Sequence, residues 1–180
     1  PVTAGKTGQL VPNEFKAPGH RVVLIKPEYG PDGLPAGESL KKVFARVHGL
    51  LSSGRAVSAW TPGYGGAAEA VMKMRFGNML GFEFDKSVSD EDIFGYNYGA
   101  FVLELAEDVS DGAALGYTAD GGAITRGGES VPLQELLKIY ESRLESVYPT
   151  RAAAPSGRAP AFSCAAETRP APPAPIARPR

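Results

Sequence analysis

The stretch that most constrains this chain runs from Val57 to Asn78, VSAWTPGYGGAAEAVMKMRFGN. Val57 and Ala59 begin it as a short strand, and Thr61-Pro62-Gly63-Tyr64-Gly65-Gly66 follows as a turn. A helical pattern starts at once, with Ala67, Ala68, Val71, Met72 and Phe76 on one side. Glycines at a strand-to-helix junction permit a sharp reversal and bare the first helical amides. Those amides and the helix dipole make a natural seat for phosphate. Gly63, Tyr64, Gly65 and Gly66 are therefore the candidate nucleotide- or phosphate-binding residues. The turn matches neither G-x-x-x-x-G-K-[ST] nor G-x-G-x-x-G, so on pattern alone close packing or positive φ is the leading explanation of its glycines. Lys73 and Arg75 are the charges available to a phosphate, although Lys73 lies four residues after Glu69 and forms a helix pair equally well.

Composition narrows the class. The net charge of −1 over 180 residues leaves no basic surface for nucleic acid. No apolar stretch reaches membrane-spanning length and none resembles a signal-peptide core, so no membrane role is expected. The one cysteine, Cys164, excludes an internal disulfide, and a cytoplasmic setting follows by default. With His20 and His48 it forms no metal-ligand spacing. The chain opens on Pro1 rather than Met, which suggests a piece of a longer polypeptide.

Along the chain, residues 1–19 are rich in Gly, Pro and Lys and read as a connecting loop. Arg21 to Lys26 is an apolar run of strand length. Leu40, Val43, Phe44, Val47, Leu50 and Leu51 recur at helical spacing over Glu38 to Ser53, and Gly54 ends that helix. Met79–Phe84 and Gly99–Leu105 read as strands, with a helical turn between them at Asp90 to Tyr98. Ala113 to Ala119 and Ala123 to Arg126 are weaker strands, joined by Asp120-Gly121-Gly122 as a hairpin turn. Pro132 opens a last helix with Leu133, Leu136, Leu137, Tyr140 and Leu144 on one face. The order predicts an α/β (α+β) domain over 20–149, a layered sheet with helices on one face. Residues 150–180 are dominated by Ala, Pro and Arg and read as a linker.

No catalytic or metal-binding constellation can be assembled. His48 flanks the apolar face of its helix and is expected to be packed and partly buried. His20, in a loop, is expected to be solvated. The acidic run Asp90-Glu91-Asp92 suits a helix first turn better than a magnesium site. Met72 is expected to join the core and Met74 to lie off the apolar face. Cys164 has no basic neighbourhood to make it a nucleophile.

Several blocks, taken in order, resemble one family. EFKAPGHRVVLIKPEYGPDGLP (14–35), GRAVSAWTPGYGGAAEAVMKMRFGN (54–78), YGAFVLEL (98–105) and LESVYPTR (144–151) are similar to the phosphoribosylformylglycinamidine synthase family, over most of residues 14–151. The resemblance implies the C-terminal α/β domain of an aminoimidazole ribonucleotide (AIR) synthetase-like half, the second such domain, followed by a linker and a glutaminase domain. It implies a part in purine biosynthesis, with ATP/ADP and Mg2+ as cofactors of the whole ligase. The implied partners are the other synthetase and glutaminase domains of the same polypeptide. The ATP-binding half-domains lie elsewhere in such enzymes, so the fragment alone is expected to be inactive. One departure stands out: where relatives carry D-x-S-x-G-G, this chain reads Thr61, Pro62, Gly63 and Tyr64 before Gly65-Gly66. Lacking the acid and the serine, the turn fits a degenerate, nucleotide-storing half. The other readings are a C-terminal domain of another enzyme of the AIR-synthetase fold and a purely structural interdomain module.

Overall fold

The computed structural model describes residues 10–106, 109, 112, 114–149 and 151. Val22 and Val23 are neighbours in sequence and both are buried. A strand achieves that only inside a sheet covered on both faces. They belong to β1 (Arg21–Ile25), which is followed by α1 (Gly37–Ser52), β2 (Ala56–Trp60), α2 (Gly66–Phe76), β3 (Gly81–Phe84) and α3 (Asp90–Phe94). The chain continues through β4 (Phe101–Leu105), β5 (Ala114–Ala119), β6 (Ala123–Arg126), β7 (Glu129–Pro132) and α4 (Leu133–Ser142). The seven strands form one sheet in the order β2-β4-β1-β5-β3-β6-β7. Every pairing is antiparallel except that of β3 with β6.

The expected layered α/β fold is present, with the helices divided between the two faces rather than gathered on one. Val43, Val47 and Leu50 of α1 pack on Val23, Ile25, Leu103 and Leu105. Ala67, Ala70, Val71 and Met74 of α2 pack on Val22, Phe82, Phe84, Val102 and Leu115 across the sheet. Ile93 of α3 and Phe15 complete this second core, and Phe15 stacks on Phe82 with ring centroids 5.7 Å apart. The split follows from β1 and β4, which are apolar at consecutive positions and so need cover on both sides.

Three expectations change. The stripe of α2 that meets the sheet is 67, 70, 71 and 74, so Met74 is buried and Met72 lies at the edge of the core. The i, i+3, i+4, i+7 rule favours this stripe over one containing Met72. β5 and β6 do not form a hairpin, because β3 lies between them. The Asp120–Gly122 link instead passes the start of β3, where a Cβ on Gly81 would come within 2.8 Å of the Asp120 and Gly121 carbonyls. The hairpin is β6–β7, closed by Gly127 and Gly128, both at positive φ as a tight two-residue turn requires. Finally, α4 buries only Leu133, and Tyr140 and Leu144 of its expected apolar face are exposed.

Among the described residues, no helix is long and apolar enough to cross a membrane. Cys164, residues 1–9 and nearly all of the 150–180 stretch lie outside the described residues.

Candidate functional site

β2 delivers the chain to the glycine turn, and the turn starts α2. Gly66 has φ of +63°, and a Cβ there would sit 2.7 Å from the carbonyl oxygens of Ile93 and Gly95. This glycine is therefore demanded by the end of α3, whatever else the turn does. Its amide donates to the Gly63 carbonyl at 3.1 Å.

The neighbouring amide is the informative one. Gly65 N–H donates to Glu69 Oε2 at 2.8 Å, one helical turn ahead. Lys73 Nζ lies 2.6 Å from the other carboxylate oxygen. Glu69 also lies under Gly63, where a Cβ would meet Oε2 at 2.9 Å. The Lys73 hydrogen bond, then the Gly65 amide, hold the Glu69 carboxyl below its ordinary value, so it is ionised at neutral pH. An intrinsic carboxylate thus takes one of the amides at a helix N-terminus, where an anion is favoured. Gly63, Tyr64 and Gly65 remain exposed at the surface, so the turn is capped by its own helix but not covered by the core.

These residues do not fit a nucleotide phosphate. A phosphate brought to the Gly65 amide would face the Glu69 charge, while Lys73 is already paired. Arg75 is out of reach: it is fully buried, its Nε donates to the Leu80 carbonyl, and Nη1 and Nη2 have no partner. Burial without a counter-ion pulls its pKa down to about 10. The described residues contain no group of three His, Cys, Asp or Glu able to hold a metal ion. Beside the turn lies a cleft of about 460 Å³, walled by Gly65, Ala68, Met72, Phe84, Ile124 and Leu136 among others. Its walls are mainly apolar.

A second carboxylate, which nothing in the sequence singles out, lies on the same sheet face as α2's core. Glu104 on β4 is fully buried and accepts from the Lys16 amide at 2.9 and 3.0 Å and from the Ala17 amide at 3.3 Å. Ser58 Oγ donates to it at 2.9 Å, and His20 Nδ1 lies 2.7 Å away. Ser58 reaches it because a register shift between Ala56 and Ser58 turns Ser58 to face Glu104. His20 is thus paired rather than solvated. Ser58 bonds the carboxylate, not the imidazole, so the trio contains no activated nucleophile.

The remaining candidates fall as follows. His48 is exposed, because Val43, Val47 and Leu50 set the buried stripe and His48 lies a step outside it. Asp90, Glu91 and Asp92 do form a helix first turn: Ser89 caps the Asp92 amide at 3.1 Å. Asp92 pairs with Lys26, and Asp90 with Arg126.

No family model matches the chain, and no curated protein matches it. Solved structures do. The phosphoribosylformylglycinamidine synthase II of Thermotoga maritima aligns over 87% of this chain and 31% of its own, at TM-score 0.61 and 14% identity. Thermotoga maritima PurL complexed with ATP aligns over 72% of this chain and 27% of its own, at TM-score 0.59 and 15% identity. Thermotoga maritima PurL complexed with FGAR aligns over 72% of this chain and 30% of its own, at TM-score 0.60 and 12% identity. The fold is the one these synthase chains contain. This chain spans less than a third of their length.

Proposed function

We propose that this chain is a scaffold domain of a phosphoribosylformylglycinamidine synthase in purine biosynthesis. In this reading it is the second C-terminal α/β domain of the synthetase region, and its 150–180 stretch leads to a glutaminase domain. The complete cytoplasmic enzyme converts formylglycinamide ribonucleotide, glutamine and ATP to formylglycinamidine ribonucleotide, glutamate, ADP and phosphate. Its ATP and Mg2+ would be held by other domains. Gly63, Tyr64, Gly65 and Gly66 are then the retained turn of a degenerate nucleotide site.

The observation that carries the scaffold role is the Glu69 carboxylate seated on the Gly65 amide, within a fold shared with PurL. Chemistry at a turn blocked by its own charge is disfavoured, whereas support for a neighbouring domain is not. A second reading, a nucleotide-storing site completed by another domain, draws on the cleft that opens beside Gly65.

The test uses the complete polypeptide in a purine-requiring strain that lacks its synthase. Growth without purines is expected from the native sequence and from Glu69→Gln, and is expected to fail with Gly66→Val, which destroys the α2–α3 junction. Failure of the native sequence to restore growth overturns the synthase reading. A tenfold or greater fall in kcat for Glu69→Gln, about 1.4 kcal/mol or more, overturns the scaffold role but leaves the family intact.

A further inference from the structure

The cleft beside the glycine turn carries a charge imbalance that the turn itself does not use. Six elements wall it: Met72 comes from α2, Phe84 from β3, Phe94 from α3, Ile124 from β6, Val131 from β7 and Leu136 from α4. Phe84 is buried, whereas Phe94 is 61% and Val131 43% exposed, so apolar surface runs from the core out to the rim. At about 460 Å³ the cleft has the size and the lining of a small-molecule site.

Three charged side chains also line it, Glu69, Arg126 and Glu129. Glu69 is engaged by Lys73 and by the Gly65 amide. Arg126 stands directly across the β6–β7 hairpin from Glu129, a placement that ordinarily pairs opposite charges. Its guanidinium instead reaches back to Asp90 and to the Val88 carbonyl. Glu129 is left without an ion-pair partner among the described residues. The lining residues and their ion partners thus hold three carboxylates, Glu69, Glu129 and Asp90, against two cations, Lys73 and Arg126. An anion entering the cleft meets that excess. A cation relieves it, and the exposed Phe94 ring adds a surface that attracts cations. The apolar walls favour an organic body on that cation.

We propose that this cleft binds a small organic ammonium, with an apolar body among Met72, Ile124 and Leu136 and its charged nitrogen at Glu129. Nothing in this requires the synthase reading.

The test uses phenethylamine and hydrocinnamate, two probes with the same phenylethyl body and opposite charge. Added to the full chain, the amine should shift the methyl signals of Met72, Ile124, Val131 and Leu136 saturably, in roughly the millimolar range. The acid should bind at least about fivefold more weakly, a discrimination that one exposed charge supports. Glu129→Gln alters an exposed side chain and should bring the two probes to within about twofold of each other. Val131→Trp, on the strand at the sheet edge, should block both probes by filling the mouth of the cleft. Unchanged amide signals over β1 and β4 show that each variant is folded. The proposal is overturned if the amine gives no saturable shifts or the acid binds equally well. It is overturned too if the charge preference survives Glu129→Gln, if binding survives Val131→Trp, or if the shifts centre on Leu144 and Tyr148.

Discussion

Glu104 and Glu69 perform the same chemistry in two settings, a carboxylate accepting backbone amides. Glu104 is buried on β4 and binds the Lys16 and Ala17 amides, Ser58 and His20. Glu69 sits at the surface and binds one amide and one lysine. The buried group has no water to fall back on, so each of its partners is structural. The surface group competes with water and with any anion that approaches. One carboxylate therefore ties distant segments of the fold together, and the other caps the glycine turn. Arg75 supplies the counter-example: buried charge whose two terminal nitrogens have no partner.

The largest effect belongs to the buried carboxylate. Glu104→Leu should cost about 3–5 kcal/mol, because it strands the Lys16 and Ala17 amides in the core; urea unfolding measures it. A cost under 1 kcal/mol would mean that the segment around Phe15 is held by packing alone. Arg75→Met should move stability the other way, by about 1–3 kcal/mol, since an apolar side chain of similar length removes an uncompensated charge. Ser58→Ala should cost about 1 kcal/mol, one hydrogen bond to a carboxylate that keeps its other partners.

The smallest effect belongs to the surface end. Glu69→Ala should cost only about 0.5 kcal/mol, but it should speed hydrogen exchange at the Gly65 amide. The pH dependence has a fixed sign. Glu69 titrates in the folded state below its ordinary value of 4.5, so the cap is complete above that pH and is lost as pH falls through the folded value. The Gly65 amide shift, followed from neutral to acid pH, should move in that lower window. A midpoint above 4.5 would contradict the ion pair with Lys73.

Much of the framework was readable from residues. The helix expected over Glu38–Ser53 is α1, and Pro132 stands immediately before α4, where its missing N–H costs nothing. What escaped were non-local choices. Nothing near Ala119 shows that β3 will occupy the edge of β5 and displace the expected hairpin, and the hairpin turns instead at Gly127-Gly128. Met72 and Met74 are two residues apart, and only the sheet beneath α2 decides which is buried. The candidate site was legible as a turn and not as one capped by its own helix. That cap depends on Glu69 folding back one helical turn instead of reaching only for Lys73. Glu104 was invisible because its partners lie 46 and 84 to 88 residues away in sequence.

Glu69 of α2 takes the Gly65 amide, so the glycine turn is capped by its own helix. Amide spectra of the full chain, titrated with Mg-ADP to millimolar concentration, test it most directly. The Gly63, Tyr64, Gly65 and Gly66 signals are expected to stay in place in the native chain. Saturable movement of the Gly65 amide with Glu69 intact would contradict it.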